Sequence, residues 1–320
     1  MLKALTKMQN YTSSVTLLGS IWSPPGWMKQ NNNLRWQYIT QYVDYILSYL
    51  KTYAAAGVPL SAITLQNEPL HTEPVSGPAW TMYMDASYAA ILSNMTAEAI
   101  RDAKLGTEIW AYDHNTDHPE YPQYVLDNAP AVTNVAWHCY ASGDGGFKTL
   151  ESFASTNPTA KQYMTECWLH SLDSEGFFDL PQFIMRPIQC GASGAMAWTL
   201  AGSVDLDVSF PGGCTQCTGL IQVDMKSGTY ELTHDFYAIG QFSRFVSKGA
   251  RYLRTSGDHI YEDNTGVESA GFKNPSGEIV VVVLNKFSNE LELTLQVEGA
   301  EILQTLYPNS VTTLTLTAIH

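Results

Sequence analysis

Ser61-Ala62-Ile63-Thr64-Leu65-Gln66-Asn67-Glu68-Pro69 is a short apolar run closed by a carboxylate. Ser61–Gln66 reads as a strand, with Asn67 and Glu68 at its C-terminal end and a polar, aromatic-rich loop behind them. The same design returns in Lys161-Gln162-Tyr163-Met164-Thr165-Glu166-Cys167-Trp168, a strand over 161–165 that ends on Glu166. Around these two runs, strands alternate with helices. The pattern predicts strands over 15–22, 108–112, 134–140 and 194–200. It predicts helices over 34–56, 81–104, 121–128, 147–154 and 178–190, with Gly57 as a C-cap. The first residues, Met1–Met8, form an amphipathic stretch that reads as a helix and not as a signal peptide. Six β units with helices between them are the pattern of a parallel α/β barrel.

From Gly249 the pattern changes. Short strands over 250–255, 266–273, 278–285, 290–297, 301–306 and 310–317 follow one another at turn spacing. Asn274-Pro275-Ser276-Gly277 and Ser288-Asn289 supply turn chemistry. The chain therefore divides into an α/β catalytic domain over 1–248, which ends with an irregular 202–219 segment and a helix over 234–246, and an antiparallel β-sandwich over 249–320.

The 320 residues include 45% hydrophobic and 15% charged residues, with a net charge of −14. Such a surface repels phosphate backbones and anionic lipid, which argues against nucleic acid as a partner and favours a neutral substrate. No apolar stretch is long enough to span a membrane. Five cysteines occur, at 139, 167, 190, 214 and 217. Cys214 and Cys217 bracket two residues in a Gly-rich loop with no helix behind them, so a local disulfide is expected there, in an oxidising compartment. No second ligand pair of matching spacing exists, so neither a metal nor another cofactor is expected.

In a parallel barrel the active site forms at the C-terminal ends of the strands. Trp22, Asn67, Glu68, Asp113, His114, His138, Tyr140, Glu166 and Trp198 all fall there. Two carboxylates on separate strand ends suit glycoside hydrolysis, in which one carboxyl group protonates the leaving oxygen and the other attacks the sugar. Eight Trp and 18 Tyr provide rings on which the C–H faces of sugars can stack. Asp113-His114-Asn115-Thr116-Asp117-His118 has i, i+4 histidines, but in a loop and not a helix, so it is not read as a metal site.

Four motifs carry a resemblance. Ile21-Trp22-Ser23-Pro24-Pro25-Gly26-Trp27-Met28-Lys29, Leu65-Gln66-Asn67-Glu68-Pro69, Ala136-Trp137-His138-Cys139-Tyr140 and Thr165-Glu166-Cys167 resemble, in order and spacing, glycoside hydrolase family 30. Within it, Trp137–Tyr140 and the Leu65–His71 loop look most like the fungal endo-β-1,6-glucanase branch. The resemblance implies a (β/α)8 barrel with an attached β-sandwich and retention of anomeric configuration. It makes Glu68 the acid/base and Glu166 the nucleophile, with Asn67 bonding the sugar 2-hydroxyl. Trp22 and Trp198 line the reacting-sugar pocket, His138 and Tyr140 border Glu166, and Asp113 and His114 contact sugar. It also implies that the barrel here lacks its first two strands, and with them an Arg that the family places beside the nucleophile.

The function expected is a monomeric, extracellular hydrolase of β-linked glucan. Alternatives are glucosylceramidase-like or xylanase-like specificity, or a catalytically inactive sugar-binding fragment.

Overall fold

The computed structural model describes residues 1–12, 15–71, 81–141, 145–167, 177–205 and 217–316, which fall into two compact units. Residues 1–167 and 190–196 contribute to the first. Its centre is a parallel sheet in the order β1 (Leu18–Ser20), β4 (Ala62–Thr64), β5 (Glu108–Asn115), β6 (Val132–His138), β7 (Lys161–Glu166) and β8 (Ala192–Ala195). Sequential strands are neighbours, as the expected alternation requires. Among the described residues β1 and β8 are its edges. Ala62, Ile63 and Thr64 are all buried, the mark of a strand covered on both faces.

Helices α2 (Ile39–Ala55), α3 (Ala86–Asp102), α4 (Glu120–Asn128) and α5 (Gly145–Thr156) make the crossovers, and α1 (Leu2–Gln9) precedes β1. The buried face of α2 is Ile39, Tyr42, Val43, Ile46 and Leu50, at the helical spacing seen in the sequence. Gly57 follows its C-cap with φ +76°, a conformation that glycine adopts without steric cost.

Two helices begin later than their apolar patterns predict. Residues 29–34 form a hairpin of β2 (Lys29–Gln30) and β3 (Asn33–Leu34), and Trp36–Tyr38 is a 3₁₀ turn. Asn31 and Asn32, both at positive φ, make the hairpin turn. Residues 81–85 are likewise outside α3, because the Asp85 side chain accepts from the Tyr88 amide at 2.9 Å and caps the helix there.

Residues 177–189, 197–205 and 217–316 contribute to the second unit. The strand expected over 194–200 is corrected. β8 stops at Ala195, and the next strand, β9 (Ala201–Ser203), belongs to a small sheet with β10 (Ile221–Val223) and β11 (Tyr230–Leu232). The glycines that read as an irregular loop permit this pairing. A Cβ on Gly219 would lie 2.4 Å from the Gly202 nitrogen.

The remaining strands are β12 (Arg251–Leu253), β13 (His259–Ile260), β14 (Gly266–Lys273), β15 (Ile279–Asn285), β16 (Leu291–Val297), β17 (Ala300–Leu306) and β18 (Ser310–Leu316). They form a five-stranded antiparallel sheet and the β16–β17 hairpin. Ile279, Val281 and Val283 on one face of β15 pack with Leu306 and with Leu291, Leu293, Leu295 and Val297 of the hairpin, giving the expected sandwich. α6 (Asp179–Gln189) and α7 (His234–Ser243) join the sheet through polar contacts: Arg186 pairs with Glu268, and Thr313 donates to the Gln241 carbonyl.

Candidate active site

Side chains alternate along strands, so residues two apart share a face. Leu18, Ala62, Trp110, Ala136 and Tyr163 form an apolar layer, with Trp110 and Tyr163 stacked 4.1 Å apart. Two residues further along four of these strands come Ser20, Thr64, His138 and Thr165. On β5 simple alternation would put Tyr112 in this second layer. Instead the register slips between Tyr112 and His114, and both Tyr112 and Asp113 take positive φ, +80° and +67°. The bulge turns Tyr112 against Tyr121 and Trp137 and brings Asp113 into the layer.

Asp113 is buried and saturated with donors. Oδ2 accepts from Ser20 Oγ at 2.7 Å and from Thr64 Oγ1 at 2.5 Å. Oδ1 accepts from Thr165 Oγ1 at 2.6 Å and lies 3.0 Å from His138 Nε2. Five adjacent strands thus meet at one carboxylate, which requires the sheet to curl around it. Burial alone would raise its pKa, but His138 and the hydroxyl donors outweigh burial and hold it at about 2. The expectation that Asp113 contacts sugar is corrected: both oxygens are engaged from within the fold, and only 2% of the residue is exposed.

His138 has no exposed surface. Its Nδ1 lies 3.1 Å from Glu68 Oε1 and 3.9 Å from Glu166 Oε1. Burial disfavours the imidazolium, yet the bonds to Asp113 and Glu68 prevail and raise its pKa to about 10. The ring is therefore a buried cation with both N–H groups committed.

Glu68 has φ +46°, unusual for a residue with a side chain, and its amide donates to the Asp113 carbonyl at 2.9 Å. Burial pushes its carboxyl up, but the His138 hydrogen bond and charge overcome this and leave it below the usual range. Glu166 ends its strand one register slip beyond Thr165, opposite His138. Burial and the Glu68 charge raise its pKa despite His138 and the Tyr140 hydroxyl, which donates to Oε1 at 2.9 Å. One oxygen of Glu68 and one of Glu166 lie within 4.8 Å of each other and of His138. The two carboxyls are thus shifted in opposite directions, Glu68 down and Glu166 up. A metal held by this trio would have to displace the proton on His138.

Asn67 is buried beside Glu68, and its Oδ1 has no hydrogen-bond partner among the described residues. Trp22 is half-exposed, and its carbonyl accepts from Gln66 Nε2 at 2.8 Å. Tyr140 is half-exposed, with its amide bonded to Asn115 Oδ1. His114 is mostly buried. Its Nδ1 accepts from the Leu70 amide, and burial lowers its pKa to about 4, so the ring is neutral. Trp198 is half-buried in the second unit. Of the expected Cys214–Cys217 disulfide, Cys214 lies outside the described residues, and Cys217 is disulfide-bonded. An unforeseen disulfide joins Cys139 to Cys167, and Cys190 is a free thiol. Ser20, Thr64 and Thr165 were also missed. The available signal was a hydroxyl at an inward position of an otherwise apolar strand.

Two paired carboxylates around a buried cation, at the C-terminal ends of parallel strands, define a glycosidase-type site. Residues 2–168 match the glycosyl hydrolase family 30 TIM-barrel domain and residues 249–314 its β-sandwich domain, and the chain belongs to this family. It is 41% identical to the endo-1,6-β-D-glucanase of Neurospora crassa, over 99% of this chain and 68% of that one. It is 39% identical to the endo-1,6-β-D-glucanase neg1 of Aspergillus fumigatus, over 94% of this chain and 65% of the relative. It thus spans about two thirds of their length. The solved structure of the endo-β1,6-glucanase BT3312 superposes with a TM-score of 0.86 at 22% identity, covering 98% of this chain and 73% of that one.

Proposed function

We propose that this chain is a retaining glycoside hydrolase that cleaves β-1,6-linked glucan internally by double displacement. The observation that carries the reading is the approach of Glu68 and Glu166 oxygens to within 4.8 Å. Retaining enzymes hold their carboxyl groups about 5–5.5 Å apart, whereas inverting ones leave room for a water at about 6.5–9.5 Å. The fungal relatives support the β-1,6 linkage.

Glu166 is the nucleophile. Its Oε1 is held by Tyr140, which leaves Oε2 to attack the anomeric carbon. Glu68 protonates the leaving oxygen and then activates the water that releases the sugar. The reactive form carries one proton on the carboxylate pair, held on Glu68, while Glu166 is ionised. The open Oδ1 of buried Asn67 accepts the sugar 2-hydroxyl. Trp22 supplies a ring for the reacting sugar. One chain supplies both carboxylates and His138, so we read the active unit as a monomer. The Cys139–Cys167 disulfide supports action outside the cell, on cell-wall glucan.

The test is product analysis on linear β-1,6-glucan, xylan and glucosylceramide, beside binding of the same ligands. Oligosaccharides released from β-1,6-glucan alone are expected; binding without turnover would mean a sugar-binding protein. Glu166→Ala should abolish turnover, with azide restoring it and giving the inverted glycosyl azide. Glu68→Ala should spare substrates with good leaving groups. The same azide anomer from both variants would overturn the assignment of roles.

A further inference from the structure

The β6–β7 ladder ends irregularly. Trp137 pairs with Met164, and the next pair is His138 with Glu166, so Thr165 is an extra residue on β7. Beyond that point a parallel pair loses its regular hydrogen bonding. Here the next residue on each strand is a cysteine, and Cys139 and Cys167 are bonded with their Cα atoms 5.3 Å apart. The Cys139 amide donates to the Glu166 carbonyl at 3.2 Å. The disulfide is flanked on one strand by His138, which contacts Glu68 and Asp113, and by Tyr140, which donates to Glu166. On the other strand it is flanked by Glu166 itself. Three side chains of the site are thus one peptide bond from the covalent link.

We infer that the Cys139–Cys167 disulfide is a positioning element of the active site, holding Glu166 in register with His138 and Tyr140, so that full turnover depends on its being oxidised. The inference rests on the glycosidase reading above. Without the link, what joins the strand ends at the register slip is the Cys139 amide bond to the Glu166 carbonyl, the Thr165 hydroxyl on the Trp137 carbonyl at 3.2 Å and the Tyr140 hydroxyl on Glu166. A displacement of about 1 Å at reacting atoms costs on the order of 100-fold in rate. A dithiol reagent breaks the S–S bond by transferring two electrons and two protons, giving Cys139 and Cys167 thiols and the reagent's own cyclic disulfide. A staple that merely stabilises the fold would leave the chemistry of the folded protein alone.

The test compares the full chain with the paired variant Cys139→Ser/Cys167→Ser, which leaves Cys217 oxidised and Cys190 unchanged. Both are assayed well below their melting temperatures on linear β-1,6-glucan across pH. Both are also labelled at Glu166 with a 2-deoxy-2-fluoro-β-glucosyl donor carrying a dinitrophenolate leaving group, followed by intact mass. The variant should lose on the order of 10- to 100-fold in kcat and in labelling rate, keep KM within about two-fold, and show a shifted pH profile. A lower melting temperature with unchanged kcat, labelling rate and pH profile would overturn the inference. Should the paired variant fail to fold, brief reduction and alkylation are applied to a Cys190→Ser/Cys214→Ser/Cys217→Ser background, in which Cys139 and Cys167 are the thiols released, and unchanged labelling there overturns the inference equally. A parent that neither labels nor cleaves any glycoside refutes the glycosidase reading itself, an outcome separate from a parent that labels as fast as its variant.

Discussion

Asp113 and Glu68 are joined twice. The Glu68 amide donates to the Asp113 carbonyl, and His138 bridges the two carboxylates through its opposite ring nitrogens. Backbone and side chain of the same bulged residue therefore set both where Glu68 stands and what charge it faces.

Asp113→Asn should break the arrangement. The amide keeps the shape but presents an NH₂ to hydroxyl donors and leaves the His138 imidazolium without its buried counter-charge. Loss of one partner of a buried ion pair costs about 3–5 kcal/mol. Urea unfolding should show a loss of that order, with a large fall in kcat; a change below about 1 kcal/mol would contradict the assigned role.

His138→Gln should move both limbs of the activity profile upward. The active pair carries one proton, so activity falls in acid as the pair takes a second and in base as it loses the only one. In the parent the acid limb should lie below the usual glutamate range and the basic limb above it, in the directions of the two shifts. Removing a cation within hydrogen-bond reach raises a carboxyl pKa by about 1–3 units. Limbs that stay in place would show that His138 is neutral in the working enzyme.

Stability should depend on pH from both sides. His138, raised to about 10, contributes fully below its unfolded value of about 6.5 and loses its contribution as pH rises toward 10. Asp113, lowered to about 2, contributes above about 3.9 and loses its contribution as pH falls toward 2. Denaturation midpoints should therefore peak between these windows and decline through pH 7–10. A flat midpoint across that alkaline range would count against a charged His138.

Tyr140→Phe removes the donor to Glu166 Oε1. Burial, reinforced by Glu166, holds the phenol protonated throughout the working range, so the parent keeps this donor at every assay pH. A fall in kcat on the order of 10- to 100-fold with little change in KM is expected from steady-state kinetics.

The sequence makes the outline of this site legible because barrel chemistry collects at strand ends. Glu68 and Glu166 close strands, and His138 and Tyr140 follow a third. The role of Asp113 is not legible there. It depends on a bulge in which two residues with full side chains adopt positive φ, and no glycine marks the place. The partners of Asp113 are hydroxyls on three other strands and an imidazole on a fourth, each unremarkable alone. The Cys139–Cys167 pairing is hidden for the same reason: its members lie on neighbouring strands whose register slips at that point. In α2 and α3 the apolar periodicity ran past the true starts, because a local Asn-Asn turn and the Asp85 cap outweigh it.

Glu68 holds its proton chemistry on a backbone shape that resists its own Cβ. A left-handed residue with a side chain is destabilised relative to glycine by on the order of 1 kcal/mol. Glu68→Gly should therefore be inactive, with the relief of the turn offsetting only part of the stability lost with the His138 contact. The glutamate sits there at a cost to the backbone that its part in turnover explains and its contribution to the fold does not.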